Sequence, residues 1–294
     1  MFEKMLLPLD GSELAETAIP FAEMLAGKLG SEMVFLHVCV PEHEPYRHMH
    51  QIYLSHIADT VKNKIKSQWG KEATIHTESL MGKPADIIHD YVPKNGITML
   101  VMTSCGASGI KALLGSVVDR VIRSVNVPTL LVRVKEGRAP QIKPAEVKKI
   151  ILPLDGSEAS NSAIPYAIEL ARKLSAAVIL FQMAETVYAH GMDGLSAGVG
   201  VNWDQIDIAT EKYVHAYLEK VEEQFKQKGI STSHVVKLGV DPANEILELE
   251  RKTEDGLVAM ATRGRSPVAR WAFGSVAEKV LREGSLPLLV VKRG

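Results

Sequence analysis

The chain has 294 residues, enough for one large domain or two of ordinary size. Hydrophobic residues make up 46% and charged residues 23%, the balance of a globular protein. A formal net charge of -1 argues against a general affinity for nucleic acid or anionic membrane, and no apolar run reaches the ~18 residues that span a bilayer.

The opening MFEKMLLPLDG lacks the long apolar segment and small-residue cleavage site of a signal peptide. Two cysteines, Cys39 and Cys105, are too few for a disulfide framework and read as packing residues, so a cytoplasmic protein is expected. Short, continuously apolar runs rich in Val, Ile and Leu predict strands at 4–9, 32–38, 73–80, 97–103 and 128–134, covered on both faces as in a parallel sheet. Ser12 follows the first run where an N-cap should open a helix. Ile52, Leu54, Ile57, Ala58, Val61 and Ile65 are spaced for an amphipathic helix. In GKPADII (82–88), Pro84 at a helix start and the pair Ile87-Ile88 predict a turn into a packed helix rather than an anion loop.

The segment PEHEPYRHMHQIYLSH (41–56) carries four histidines, His43, His48, His50 and His56. His43, His48 and His50 are candidate zinc ligands by density alone. The segment shows no firm ligand spacing and no cysteine partner, so a solvated loop entering a helix explains it equally well. KEGRAPQIKPAEV (135–147) has the Pro, Gly and charge content of a linker.

After it the pattern starts again. MLLPLDGSE (5–13) returns as IILPLDGSE (150–158), and SELAETAIPFAEMLAGKLG lies over SEASNSAIPYAIELARKLS. GKPADII pairs with GVDPANEIL (239–247), and LLGSVVDRVIRSVNVPTLLV with AFGSVAEKVLREGSLPLLVV. Asp10 and Asp155 are 145 positions apart, whereas Gly115 and Gly274 are 159 apart, so the second copy holds 14 extra residues between them. A repeat this long is a duplicated domain, not a solenoid unit of ~20–50 residues. The expected architecture is α/β, two tandem doubly wound domains, each a five-stranded parallel sheet flanked by helices. The expected boundaries are 1–137 and 148–294, with 138–147 as linker.

In such sheets ligands bind beyond the carboxyl ends of the strands, where strand order reverses. Asp10 and Asp155 stand there, able to accept hydrogen bonds from a ligand, although Asp-Gly-Ser alone is also a turn and helix cap. MATRGRSPVARWAFGSVAEKV (260–280) leaves a strand and re-enters a helix at Gly274-Ser275. Its glycines, helix N-terminus and Ser275 hydroxyl are expected to make a phosphate cradle that is not a Walker A loop, with Arg263 and Arg265 either supplementing its charge or, one or both, facing solvent. AHGMDGLSAGVGVNWD (189–204) reads either as a flap over that site or as an insertion without a ligand role. Trp69, Trp203 and Trp271 are too widely separated to form a stacking series for single-stranded nucleic acid. No motif names a catalytic nucleophile or general base.

Over nearly its whole length, in both copies, the sequence resembles tandem members of the universal stress protein family, whose fold is of the adenine-nucleotide alpha-hydrolase type. Nucleotide-binding members carry G-x2-G-x9-G-(S/T) after the fourth strand. The second copy matches through Gly264, Gly274 and Ser275, with Ala261 in place of the first glycine. The first copy has Thr103 there, then Gly106, and only eight residues before Gly115-Ser116. A shortened loop should misplace several amides together, so the resemblance implies nucleotide chiefly in the second copy. It implies that Pro153 and Asp155 border adenine or ribose, that the Met183 backbone faces adenine, and that Met260 and Ala261 lie by the ribose. Gly264, Gly274, Ser275 and Val276 would hold phosphates, with Asp10, Gly106, Gly115 and Ser116 as the degenerate counterparts. The ligand implied is ATP or a related adenine nucleotide, with any Mg2+ riding on the phosphates. The resemblance also implies that the fifth strands, PTLLVRV and PLLVVKR, pair into a pseudo-dimer, with assembly of two chains a further expectation. The function implied is a regulatory or signalling module in the stress response; a nucleotide-independent interaction scaffold and a slow ATP hydrolase are the alternatives.

Overall fold

The computed structural model describes residues 1–40, 47–105, 114–134, 144–185, 203–262 and 273–292. The first half runs β1 (Lys4–Pro8), α1 (Glu13–Glu16), α2 (Ile19–Leu29), β2 (Glu32–Cys39), α3 (Arg47–Trp69), β3 (Ile75–Met81), α4 (Pro84–Lys94), β4 (Met99–Thr103), α5 (Ser116–Ser124) and β5 (Thr129–Val132). The second runs β6 (Lys149–Pro153), α6 (Glu158–Asn161), α7 (Ile164–Leu174), β7 (Ala177–Glu185), α8 (Trp203–Lys226), β8 (Thr232–Gly239), α9 (Pro242–Arg251), β9 (Gly256–Ala261), α10 (Ser275–Glu283) and β10 (Leu288–Val291).

Each Asp-Gly-Ser bends the chain from strand into helix by the same device. Gly11 (φ 84°) and Gly156 (φ 80°) take the left-handed conformation that a side chain would strain. The next residue caps a helix, Ser12 Oγ accepting from Ala15 N at 3.2 Å and Ser157 Oγ from Ser160 N at 3.1 Å. Pro20 and Pro165 then sit in the first turns of α2 and α7, where no amide is missed. On α3 the stripe Leu54, Ala58, Val61 and Ile65 is buried, as its spacing predicts. Ile52 is 66% exposed because it falls off that stripe, a correction to the expected apolar face.

The ten strands form one sheet in the order β3-β2-β1-β4-β5-β10-β9-β6-β7-β8. Every neighbouring pair is parallel except β5 and β10, which run antiparallel with Leu131 opposite Leu288 and Leu130 opposite Leu289. The two five-stranded sheets read from the sequence are thus joined edge to edge, and the joining strands are PTLLVRV and PLLVVKR. Pairing consumes backbone groups that an open edge would leave exposed. Apolar layers cover both faces and run across the seam, so burial stabilises the junction as well as each half.

Around the seam the contacts repeat with pseudo-twofold symmetry. Arg133, just past β5, donates to the carbonyls of Leu281 and of Val280 (2.8 Å) at the end of α10. Its counterpart Lys292, just past β10, donates to the Arg123 carbonyl at the end of α5, at 2.7 Å. Cations there complement the negative ends of the helix dipoles. Arg123 also forks across to both carboxylate oxygens of Glu278, at 3.0 Å each. On the opposite face Lys28 reaches the Leu174 carbonyl at 3.3 Å, and the rings of Phe2 and Tyr166 lie 5.9 Å apart.

Candidate ligand site

In each half the strand order reverses between the first and fourth strands, β1/β4 and β6/β9. At the carboxyl ends of β6 and β9 lies a cavity of about 290 Å3. Its walls are largely apolar, with Phe181 and Met183 from β7, Met260 and Ala261 from β9, and Pro242 and Ile246 from α9. Asp155 enters from beyond β6, and Gly274, Ser275 and Val276 form the opposite end.

Two local features give that end its chemistry. Gly274 N donates to the Thr262 carbonyl at 2.8 Å, which returns the chain to the end of β9. Gly274 then caps α10 without a side-chain hydrogen bond. The first amides of α10 have no acceptor within their helix and carry the positive end of its dipole, an arrangement suited to an anion. At the other end Asp155 accepts from Ser157 N at 2.9 Å, and Ser160 Oγ accepts from Asp155 N at 3.3 Å, so the carboxylate is held in place. Close by, burial and then the Asp155 charge push the Tyr217 phenol up to about 12, against the opposing hydrogen bond to Asn161, so it is a neutral hydroxyl at physiological pH. The cavity therefore offers a carboxylate acceptor, a slot for a flat apolar body, and amides for an anion. Among its described lining residues no cysteine, histidine or lysine is present.

The first half repeats this arrangement on a smaller scale. A cavity of about 170 Å3 is bounded by Asp10, Leu36, Val38, Pro84, Ile88, Met102, Thr103, Gly115 and Ser116, which are the repeat counterparts of the residues in the larger site. Thr103 and Val118 occupy the positions of Ala261 and Ala277, so the smaller cavity carries bulkier side chains at these two places. Small-molecule sites usually enclose ~300–1,000 Å3, so the second cavity is close to that range and the first is well below it.

Residues 1–133 and 146–292 each match the Universal stress protein family. The chain belongs to the universal stress protein family. Universal stress protein MJ0531 of Methanocaldococcus jannaschii is 33% identical over 150 residues, covering 50% of this chain and 82% of that protein. Universal stress protein Rv2623 of Mycobacterium tuberculosis is 24% identical over 221 residues, covering 74% of this chain and 69% of that one. The crystal structure of a universal stress protein from Archaeoglobus fulgidus has the same fold, with a TM-score of 0.70 at 20% identity over 100% of both chains.

In this tandem universal stress protein Pro153, Asp155, Met183, Met260, Ala261, Gly274, Ser275 and Val276 all line the larger cavity. Asp10, Gly115 and Ser116 line the smaller one. Gly264, Gly106, Arg263, Arg265 and most of the 189–204 segment lie outside the described residues. Gly115 N donates to the Ser104 carbonyl at 2.8 Å, and Gly115 caps α5 with nearly the backbone angles of Gly274. The Gly-Ser step is therefore tied to the end of the fourth strand by the same bond in both halves, while the loop amides expected to be misplaced, in 106–113, lie outside the described residues. Asp10 accepts from Ser12 N at 3.0 Å and from Ser12 Oγ at 2.6 Å, in keeping with its reading as turn and cap.

Sequence reasoning missed Phe181, Pro242, Ile246, Ser160 and Tyr217. The usable signal was the repeat itself, since Pro84 and Ile88 of the dismissed GKPADII segment line the first cavity as Pro242 and Ile246 line the second. The histidine-rich segment also needs correction. His48 is exposed and His43 lies outside the described residues, while His50 clusters with His37 and Cys39, the cysteine partner that the segment itself lacks.

Proposed function

We propose that this universal stress protein binds ATP or a related adenine nucleotide in its second domain, with any Mg2+ carried on the phosphates, and acts in the cytoplasm as a regulatory module. The observation that carries this reading is the convergence of the Asp155 carboxylate, the Phe181–Met183 wall and the α10 amides on one cavity at the switch point. The spacing from Gly264 to Gly274-Ser275 supports a phosphate at the amide end. Asp155 and Glu185 are the carboxylates of the described lining, and Asp155 is read as a hydrogen-bond acceptor for the ligand rather than as a base for an attacking water.

Mass spectrometry of ligand released from purified protein should find an adenine nucleotide at about one per chain. Titration calorimetry with ATP should give one binding event that Gly274→Val abolishes and Gly115→Val leaves largely intact. Equal loss from both changes would remove the asymmetry between the domains. No nucleotide and no heat would leave the interaction scaffold as the better reading. Robust hydrolysis abolished by Asp155→Ala would make the protein an enzyme instead.

A further inference from the structure

The end of β2 in the first domain carries a cluster for which the nucleotide reading has no use. His37 and Cys39 are two residues apart on a strand, so their side chains share one face of the sheet. They are 4% and 1% exposed, and half-buried His50, in the first turn of α3, lies over them. The rings of His37 and His50 stack with centroids 3.8 Å apart and 14° between their planes. One ligand atom from each of His37, Cys39 and His50 falls within 4.8 Å of the other two.

We propose that His37, Cys39 and His50 bind a thiophilic d-block cation, Zn2+ in the first instance, with the fourth coordination position left to solvent or an exogenous ligand. Two imidazoles and one thiolate form a borderline-to-soft donor set that suits Zn2+ or Cu+ and disfavours Mg2+ or Ca2+. His37 is already set for the task. Its Nδ1 lies 2.8 Å from the Leu9 carbonyl, which can only accept, so Nδ1 carries the hydrogen and the lone pair of the neutral ring is on Nε2. A backbone carbonyl fixing the tautomer of a ligating histidine is the usual outer-shell arrangement.

Tetrahedral Zn–N and Zn–S bonds require donor separations of roughly 3.3–3.6 Å, so the widest gap in the cluster closes on binding. Stacked parallel rings cannot aim their lone pairs at one point, and the half-exposed His50 is the group able to tilt. Cys39 binds as thiolate and releases its proton to solvent, which makes binding stronger as pH rises. The second domain supplies an internal control. The β7 positions equivalent to His37 and Cys39 are Gln182 and Ala184, so the same strand end packs without either donor.

The test uses the full chain, stripped with chelator and titrated with Co2+ as a spectroscopic substitute for Zn2+, without nucleotide. One Co2+ per chain should give tetrahedral d–d bands and a thiolate-to-cobalt charge-transfer band, both bleached by added Zn2+. His37→Gln and Cys39→Ala install the residues that the second domain carries at those positions, and circular dichroism confirms their folding. Each should abolish the charge-transfer band, as should His50→Ala, while His48→Ala should leave it intact. The proposal is overturned by absence of the band in excess Co2+, by its survival in His50→Ala, or by its loss in His48→Ala.

Discussion

Replacing Ala261 by threonine copies the first domain's floor into the second and isolates the effect of cavity size. The two cavities, at about 290 and 170 Å3, differ by about 120 Å3, and Thr103 occupies the position equivalent to Ala261. Threonine adds two heavy atoms to the end of β9, where β-branched residues suit the backbone. A misfit of methylene size in a closed pocket costs about 1–3 kcal/mol, or ~10–200-fold in affinity. Ala261→Thr should therefore weaken ATP binding at least about tenfold, which is ~1.4 kcal/mol. Titration calorimetry on the full chain reads the affinity, and thermal unfolding checks that the fold is kept. A dissociation constant within twofold of wild type, at unchanged Tm, would refute the argument that side-chain bulk at the end of the fourth strand distinguishes the two sites.

Arg133→Met removes two charged hydrogen bonds across the seam and leaves the Val280 and Leu281 carbonyls without that donor. Relief of a buried charge offsets part of the loss; burial already brings the Arg133 guanidinium down to about 10. Urea denaturation should show a net loss of about 1–3 kcal/mol. Glu250 is 2% exposed and accepts from Ser285 N at 2.6 Å and Leu286 N at 3.2 Å, yet burial raises its pKa above the ordinary carboxylate value. Its contribution to stability is complete below the unfolded value near 4.5 and is lost as pH rises through the raised folded value. Denaturation curves of Glu250→Gln across that window should gain on wild type with rising pH, and a constant offset would contradict the assignment. Gly27→Ala would place a methyl carbon 2.3 Å from Trp69 Cδ2. Overpacking of about 1–3 kcal/mol should outweigh the ~1 kcal/mol gain in helix propensity, and Trp69→Leu in the same background should restore stability.

The duplication made much of the architecture legible. Apolar runs located the strands, Ser12 and Ser157 announced their caps, and the PTLLV and PLLVV segments were the natural edges to pair. The residues lining the cavity were legible only where a motif named them. Phe181 and Ile246 look like ordinary core positions, and only the strand reversal brings them to the site. The His37–Cys39–His50 cluster was harder still to see. It depends on two-residue alternation along β2 and on the angle at which α3 returns over the sheet, and of the described histidines in the dense stretch His48 and His56 do not join it. Ile52 shows the same limit in reverse, since one apolar residue off the stripe faces water despite a spacing that fits a helix.

The antiparallel seam has a geometric consequence. Because β5 and β10 run in opposite directions while each half is internally parallel, the two cavities open toward opposite ends of the sheet. No small ligand can touch both. Each nine-residue helix that starts at one cavity, about 14 Å long, has its far end gripped by a cation of the other half: α10 by Arg133 and α5 by Lys292. Each of these helices thus has its head at one half's cavity and its foot clamped in the other half.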